Sequence, residues 1–167
     1  MKKRLTLIQM DVHVNDVEYN YNRVQELLSQ SLSENPDIII LPETWNTGFF
    51  PSRELINISD KNGERTKSLL STFAKEHNVN IVGGSVAVAK NDVVFNTSYT
   101  YNRNGELVGE YSKMHGFSPA KEDQYFAGGT HTTHFELDGI PCSTVICYDI
   151  RFPELVRMAA LPGTELL

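Results

Sequence analysis

The chain has few of the features that mark most specialised classes of protein. It contains two cysteines and one tryptophan in 167 residues. A disulfide-stapled scaffold is therefore excluded, and a reduced, cytoplasmic protein is the simplest expectation. Positive charge is also in deficit, with 15 Lys and Arg against 21 Asp and Glu, a formal net charge of −6. Nothing in that balance attracts a nucleic-acid backbone. The one basic cluster, Lys2-Lys3-Arg4, precedes a run from Leu5 to Met10 that is broken by Thr6 and Gln9 and ends at Asp11. That run is too short and too polar for an export signal, and no stretch is long enough to span a bilayer. The sequons at Asn57 and Asn96 then carry no meaning. Internal repeats and low-complexity segments are missing too. What remains is a globular composition, 40% hydrophobic and 22% charged, long enough for one domain with a real core.

The patterning predicts alternating strands and helices. Leu5 to Met10 reads as a short buried strand. Asn15 to Glu18 reads as a capping box, followed by a helical stripe of Val24, Leu27, Leu28, Ser31 and Leu32. Ile38-Ile39-Ile40-Leu41 reads as a strand buried on both faces, ending at Pro42-Glu43. After a polar loop from Thr44 to Asn62, Leu69, Leu70, Phe73 and His77 mark a second helix. Strands are expected at Val79 to Ala89, Val93 to Tyr101, Leu107 to Met114, His134 to Leu137 and Cys142 to Cys147. Gly83-Gly84, inside the first of these, signals a bulge or close packing rather than a phosphate loop. Phe152 to Ala160 reads as a helix with Gly163 past its end. Thr164 to Leu167 looks like the opening of another strand, which suggests that the C-terminal part of the fold is missing. The class is mixed α/β, with residues 1–167 a single, incomplete domain.

Three reactive side chains share one placement. Glu43, Lys113 and Cys147 each end an expected strand, where α/β proteins gather their sites. A thiol is a poor nucleophile until deprotonated, a carboxylate can take its proton, and an ammonium can hold the resulting anion or an oxyanion. No metal or cofactor is needed. His131 and His134 lack a third ligand and make a weak metal pair. Cys142 and Cys147, five apart on one expected strand, point to opposite sides and should not bond. Taken singly, each of the three has an ordinary structural reading, and spacing alone does not show that they meet.

The segments LPETWNTGF, EYSKMHGF and ICYDIRFPEL, in that order, resemble the three signature blocks of the nitrilase superfamily of carbon–nitrogen hydrolases. The resemblance implies a four-layer α-β-β-α sandwich lacking its C-terminal part, and a Glu–Lys–Cys triad at Glu43, Lys113 and Cys147. Glu122, in AKEDQYFAGG, matches a further glutamate that positions substrate in that family, and the N–H of Tyr148 matches an oxyanion donor. NTSYTYNRNGELVGEYSK and ICYDIRFPEL are most similar to the omega-amidase group, which includes the 2-oxoglutaramate amidases. Gly116 stands where that group usually has leucine. The implied substrate is a small omega-amide of a 2-oxo acid, hydrolysed to acid and ammonia through a cysteine acyl-enzyme. A different amide or nitrile specificity stays open, as does a non-catalytic remnant. Trp45, Phe49 and His115 are candidate pocket residues, and His115, on the same strand face as Lys113, is a rival base. Arg151 is expected to pair with Asp149 or Glu154, or to attract a substrate carboxylate. The helix after Cys147 is a candidate homodimer contact.

Overall fold

The computed structural model describes residues 2–167. Among the described residues there are nine strands: β1 (Leu5–Leu7), β2 (Ile38–Ile40), β3 (Asp60–Lys61), β4 (Asn80–Val82), β5 (Val86–Lys90), β6 (Val93–Tyr101), β7 (Leu107–Ser112), β8 (His134–Leu137) and β9 (Ile140–Ser143). Four α-helices accompany them: α1 (Val17–Ser31), α2 (Leu55–Ile58), α3 (Glu64–His77) and α4 (Pro153–Ala160). Strands β1, β2 and β4 pair in parallel, and β6 pairs antiparallel with β4, β5 and β7, completing a seven-stranded sheet with β3 at one edge. Strands β8 and β9 form a separate antiparallel hairpin. Among the described residues no helix is long and apolar enough to cross a membrane.

The layering follows from side-chain alternation. Successive residues of a strand face opposite sides. Ile39 joins the larger core with Val24 and Leu28 of α1 and Leu70 and Phe73 of α3, while its neighbour Ile38 joins a second cluster with Leu137 and Cys142. Helices thus cover one face of the large sheet and the β8–β9 hairpin covers the other. The two-faced burial expected for the Ile38–Leu41 run is observed, and the α, β, β succession of the expected sandwich is present, with α4 following it in the chain.

Several boundaries differ from the sequence reading. Asp16, not Asn15, caps α1, accepting from the Tyr19 N–H at 3.1 Å. Asn15 takes a positive φ of 63° instead, a conformation that asparagine tolerates. The expected Val79–Ala89 strand breaks in two at Gly83–Gly84 because those residues are used for close approach. A Cβ on Gly84, whose φ is positive, would lie 2.0 Å from the Pro42 carbonyl oxygen, and one on Gly83 would lie 2.6 Å from that of Tyr99. The Ser85 N–H then donates to the Pro42 carbonyl at 3.0 Å. Two glycines therefore lock the end of β2 against the β4–β5 junction, and with it the residue that follows Pro42.

Candidate active site

Glu43 leaves β2 at that junction. Thr44 after it has a positive φ of 44°, which is uncommon for a β-branched residue. The turn is held by the Thr44 N–H donating to Ser85 Oγ at 3.0 Å and by the Gly48 N–H donating to the Thr44 carbonyl at 2.8 Å. Asn46 rivets the same loop to β5, exchanging two hydrogen bonds with the Ala87 backbone at 2.8 and 3.1 Å. Trp45, a candidate pocket residue by sequence, is instead core. It is fully buried, meets Tyr21 edge-on and donates its indole N–H to the Gly83 carbonyl at 2.9 Å. It anchors the loop from below because burying an indole with its one donor satisfied is favourable.

Lys113 follows the last residue of β7, and its backbone N–H donates to the Asn96 carbonyl of β6 at 2.9 Å. Its ammonium is buried and reaches two carboxylates, Glu43 Oε1 and Glu122 Oε2, both at 2.7 Å. Glu122, almost wholly inaccessible at 1%, also accepts the Phe117 N–H at 2.6 Å. A solvated surface role for Glu122 is thereby excluded. Burial pulls on the Lys113 ammonium toward deprotonation, but the hydrogen bonds it donates to Glu122 and Glu43 outweigh it and hold the group above its ordinary range.

Asn96 is a partner that sequence reasoning missed. Its Nδ2 donates to Glu43 Oε1 at 3.0 Å and lies 3.5 Å from Glu122 Oε1. Oε1 of Glu43 is thus shared by two donors. A buried asparagine in the middle of a strand, where asparagine is disfavoured, was the available signal.

The third reactive residue sits differently from the expectation. The strand expected to run to Cys147 ends at Ser143, and Cys147 opens a 3-10 segment, Cys147–Arg151, with a positive φ of 48°. The thiol is presented by a strained turn after the strand, and Cys147 is exposed while Cys142 is buried; both are free. The thiol interacts with Glu43 and Lys113. Partial burial pushes it up, the Glu43 charge and hydrogen bond push it further, and Lys113 pulls the other way, leaving it above the ordinary thiol range. The sequence-predicted trio, with Glu122, is brought together.

Beside the thiol opens a cleft of about 590 Å³ lined by Phe49, Phe117, Cys147, Tyr148, Ile150 and Arg151. Phe49, a candidate pocket residue by sequence, lines this cleft. Arg151 does not pair with Asp149 or Glu154: among the described residues it forms no ion pair, and it borders the cleft. Asp149 is occupied elsewhere. Fully buried, it accepts from Tyr111 Oη at 2.7 Å, the Ile146 N–H at 3.1 Å, the His115 N–H at 3.0 Å and His115 Nδ1 at 2.9 Å. His115 turns its Nδ1 to Asp149, stacks on Phe152 with ring centroids 3.6 Å apart, and does not line the cleft beside the thiol.

The carbon–nitrogen hydrolase family model matches residues 4–167. The chain belongs to the carbon–nitrogen hydrolase family. It is 37% identical over 167 residues to a 2-oxoglutaramate amidase of Bacillus subtilis, covering 100% of this chain but 64% of that protein. A carbon–nitrogen hydrolase superfamily protein from Xanthomonas campestris, solved with an arsenic adduct in its active site, shares 30% identity. It superposes with a TM-score of 0.81 over 91% of this chain and 56% of its own. An amidase from a Nesterenkonia species has the same fold, with a TM-score of 0.86 at 23% identity, covering 98% of this chain and 63% of that one. The chain thus spans 56–64% of the length of these relatives.

Proposed function

We propose that the protein hydrolyses a small linear amide with a carboxylate at its far end, a 2-oxo acid omega-amide such as 2-oxoglutaramate, through a Cys147 acyl-enzyme. The observation that carries this is the Glu43–Lys113–Glu122 arrangement, one buried ammonium between two carboxylates, with the thiol within range of their charges. Similarity to the Bacillus amidase supports the substrate class.

Since burial and Glu43 both raise the thiol, it rests protonated, and activation occurs at the moment of attack. Lys113 and Asn96 both occupy Oε1 of Glu43, which leaves Oε2 as the basic oxygen. Glu43 takes the thiol proton as the sulfur bonds to the amide carbon. The carbonyl electrons move to oxygen, where the Lys113 ammonium and the Tyr148 N–H receive them. As the second residue of its 3-10 turn, Tyr148 has an N–H without an acceptor inside that turn. Such a donor contributes roughly 100–1,000-fold in rate. The oxyanion collapses, the C–N bond breaks, and Glu43 returns the proton to the departing ammonia. Glu43 next deprotonates water, which attacks the thioester. The acid leaves, and the proton goes back to sulfur. Glu122 fixes Lys113 and the Phe117 segment that walls the cleft.

The cleft lining fits the acyl chain. Phe49, Phe117 and Ile150 provide apolar walls, and Arg151 offers a cation to the distal carboxylate. Beyond the cleft, Met158 and Leu161 at the outer side of α4 are exposed, and a second copy of the chain is the partner they suit.

Ammonia release from a panel of omega-amides with and without the distal carboxylate tests the reading in the intact protein. Hydrolysis of 2-oxoglutaramate is expected to exceed that of a carboxylate-free amide of equal length by about 100-fold, and Cys147→Ala should abolish both. Ammonia release that survives Cys147→Ala removes the thiol mechanism, and equal rates on both amides remove the carboxylate specificity.

A further inference from the structure

One buried carboxylate has no place in the chemistry described so far. Asp149 is completely inaccessible, yet it is an ionisable group, and burying one without full hydrogen bonding costs several kcal/mol by order of magnitude. It receives four donors, two on each oxygen. The identity of the donors is informative. Oδ2 accepts the Tyr111 hydroxyl and the Ile146 N–H, and Oδ1 accepts the His115 N–H and the His115 ring nitrogen. Tyr111 and His115 stand two residues to either side of Lys113. Ile146 and Asp149 stand to either side of Cys147. A single carboxylate therefore ties the segment bearing the ammonium to the turn bearing the thiol, and it grips each on both sides.

We propose that Asp149, acting through His115 and Tyr111, is a positioning residue that sets the register between the Cys147 turn and Lys113. This rests on the reading of Cys147 as nucleophile. The backbone supports it. The Cys147 turn is held at a positive φ of 48°, a conformation that a non-glycine residue keeps only when its surroundings impose it. The Ile146 N–H and the Asp149 carboxylate close that turn in capping-box fashion. Because an ionised carboxylate only accepts, His115 must present Nδ1 as N–H to Asp149. The ring is then fixed a second time by stacking on Phe152, the residue that ends the turn and precedes α4. Neither Asp149 nor His115 lines the cleft at the thiol, so neither is assigned contact with substrate.

The clamp makes a specific demand on the kinetics. Loss of register should strike the reacting geometry, where a displacement of about 1 Å costs on the order of 100-fold, and should leave substrate binding nearly intact. Asp149→Asn replaces one acceptor oxygen by a donor facing donors, and is expected to lower kcat by about 100-fold with KM changed by less than about 3-fold. His115→Leu, at a half-exposed position, keeps the Oδ2 side of the clamp and should lower kcat by about 10-fold, while His115→Asn, which restores a side-chain N–H donor, should recover most of that loss. A second readout needs no turnover: the second-order rate of Cys147 alkylation by iodoacetamide as a function of pH. In Asp149→Asn and His115→Leu the profile should shift, because the thiol leaves its set distance from Glu43 and Lys113.

An unchanged kcat together with an unchanged alkylation profile in His115→Leu overturns the proposal, as does a His115→Asn variant no better than His115→Leu. If Asp149→Asn does not fold, the two His115 variants decide. If Cys147→Ala still releases ammonia, the nucleophile assignment fails separately, and the alkylation profiles continue to judge the clamp.

Discussion

At opposite ends of β2 a cation bridges two carboxylates. Before the strand, Arg103 grips Asp138 with two nitrogens at 2.7 and 2.8 Å and reaches Asp37 at 2.9 Å, with Lys3 also on Asp138 at 2.9 Å. Beyond the strand, Lys113 reaches Glu43 and Glu122. The ingredients match and the settings do not. The Arg103 side chain remains 26% exposed, against 2% for that of Lys113. A planar fork matched to a carboxylate spends its donors on structure, whereas a compact ammonium with three donors, two of them on carboxylates, keeps one direction for a third partner. The exposed end ties Arg4, Asn78, Asp37 and Asp138 together and closes the base of the sheet. The buried end holds one Glu43 oxygen with two donors and leaves the other clear of both.

Removing each cation sharpens that contrast most. Lys113→Met leaves Glu43 and Glu122 facing each other without a counter-charge in a buried site. Breaking a buried pair in this way costs about 3–5 kcal/mol of stability, and ammonia release should disappear with it. Arg103→Met, whose partners remain reachable by water, should cost about 1 kcal/mol and leave kcat unchanged. Urea unfolding midpoints and omega-amide turnover on both variants measure the difference. Similar destabilisation in the two would show that burial does not separate the clusters.

How much of this could be read in the chain depends on the range of the interaction involved. The strand-buried-twice pattern of Ile38–Ile39–Ile40 and the helical stripe of Val24 and Leu28 are local periodicities, and both are where the sequence placed them. Glu43, Lys113, Glu122 and Cys147 were legible because the residue types and their order match a known set of blocks. Trp45, next to a reactive glutamate, could by sequence line the pocket or pack under the loop, and only the Gly83 carbonyl, 38 residues on, shows that the indole packs beneath it. Cys147 was placed on a strand because Thr144, Val145 and Ile146 have strong strand propensity. Ile146 does keep an extended backbone, but pairing ends at Ser143, and the turn at Cys147–Arg151 is tied down by the donors on Asp149. The side-chain links of Asp149, Asn96 and Tyr111 were missed because those partners are 26 to 53 residues away and no spacing rule joins them.

A smaller change separates charge from geometry at the buried end. Glu43→Gln keeps the side-chain volume and one oxygen for Lys113 but removes the base. Hydrolysis should fall about 1,000-fold. The thiol should respond in the opposite sense. Glu43 is among the groups that raise it, so the variant thiol should titrate at lower pH, and iodoacetamide should alkylate Cys147 faster at neutral pH than in the unsubstituted protein. Slower alkylation would mean that Glu43 acts on the sulfur mainly as a base rather than as a repelling charge.

The smallest expected effect belongs to the exposed end. Hydrogen bonds from Arg103 hold the Asp138 carboxyl well below the usual carboxylate range, with Lys3 adding to them. A group depressed in the folded state stabilises the protein fully above its unfolded pKa, about 3.9 for aspartate, and that contribution drains away as pH falls through the folded value. Asp138→Asn should therefore cost on the order of 1 kcal/mol at pH 7, with the gap to the unsubstituted protein narrowing below about pH 4. The same titration should leave ammonia release at neutral pH untouched, because the buried cluster beyond β2 shares no side-chain partner with this one. Unfolding midpoints measured between neutral and acid pH check the first statement. A constant gap across that range would mean that Asp138 contributes packing rather than charge, and the comparison between the two ends would then rest on Arg103 alone.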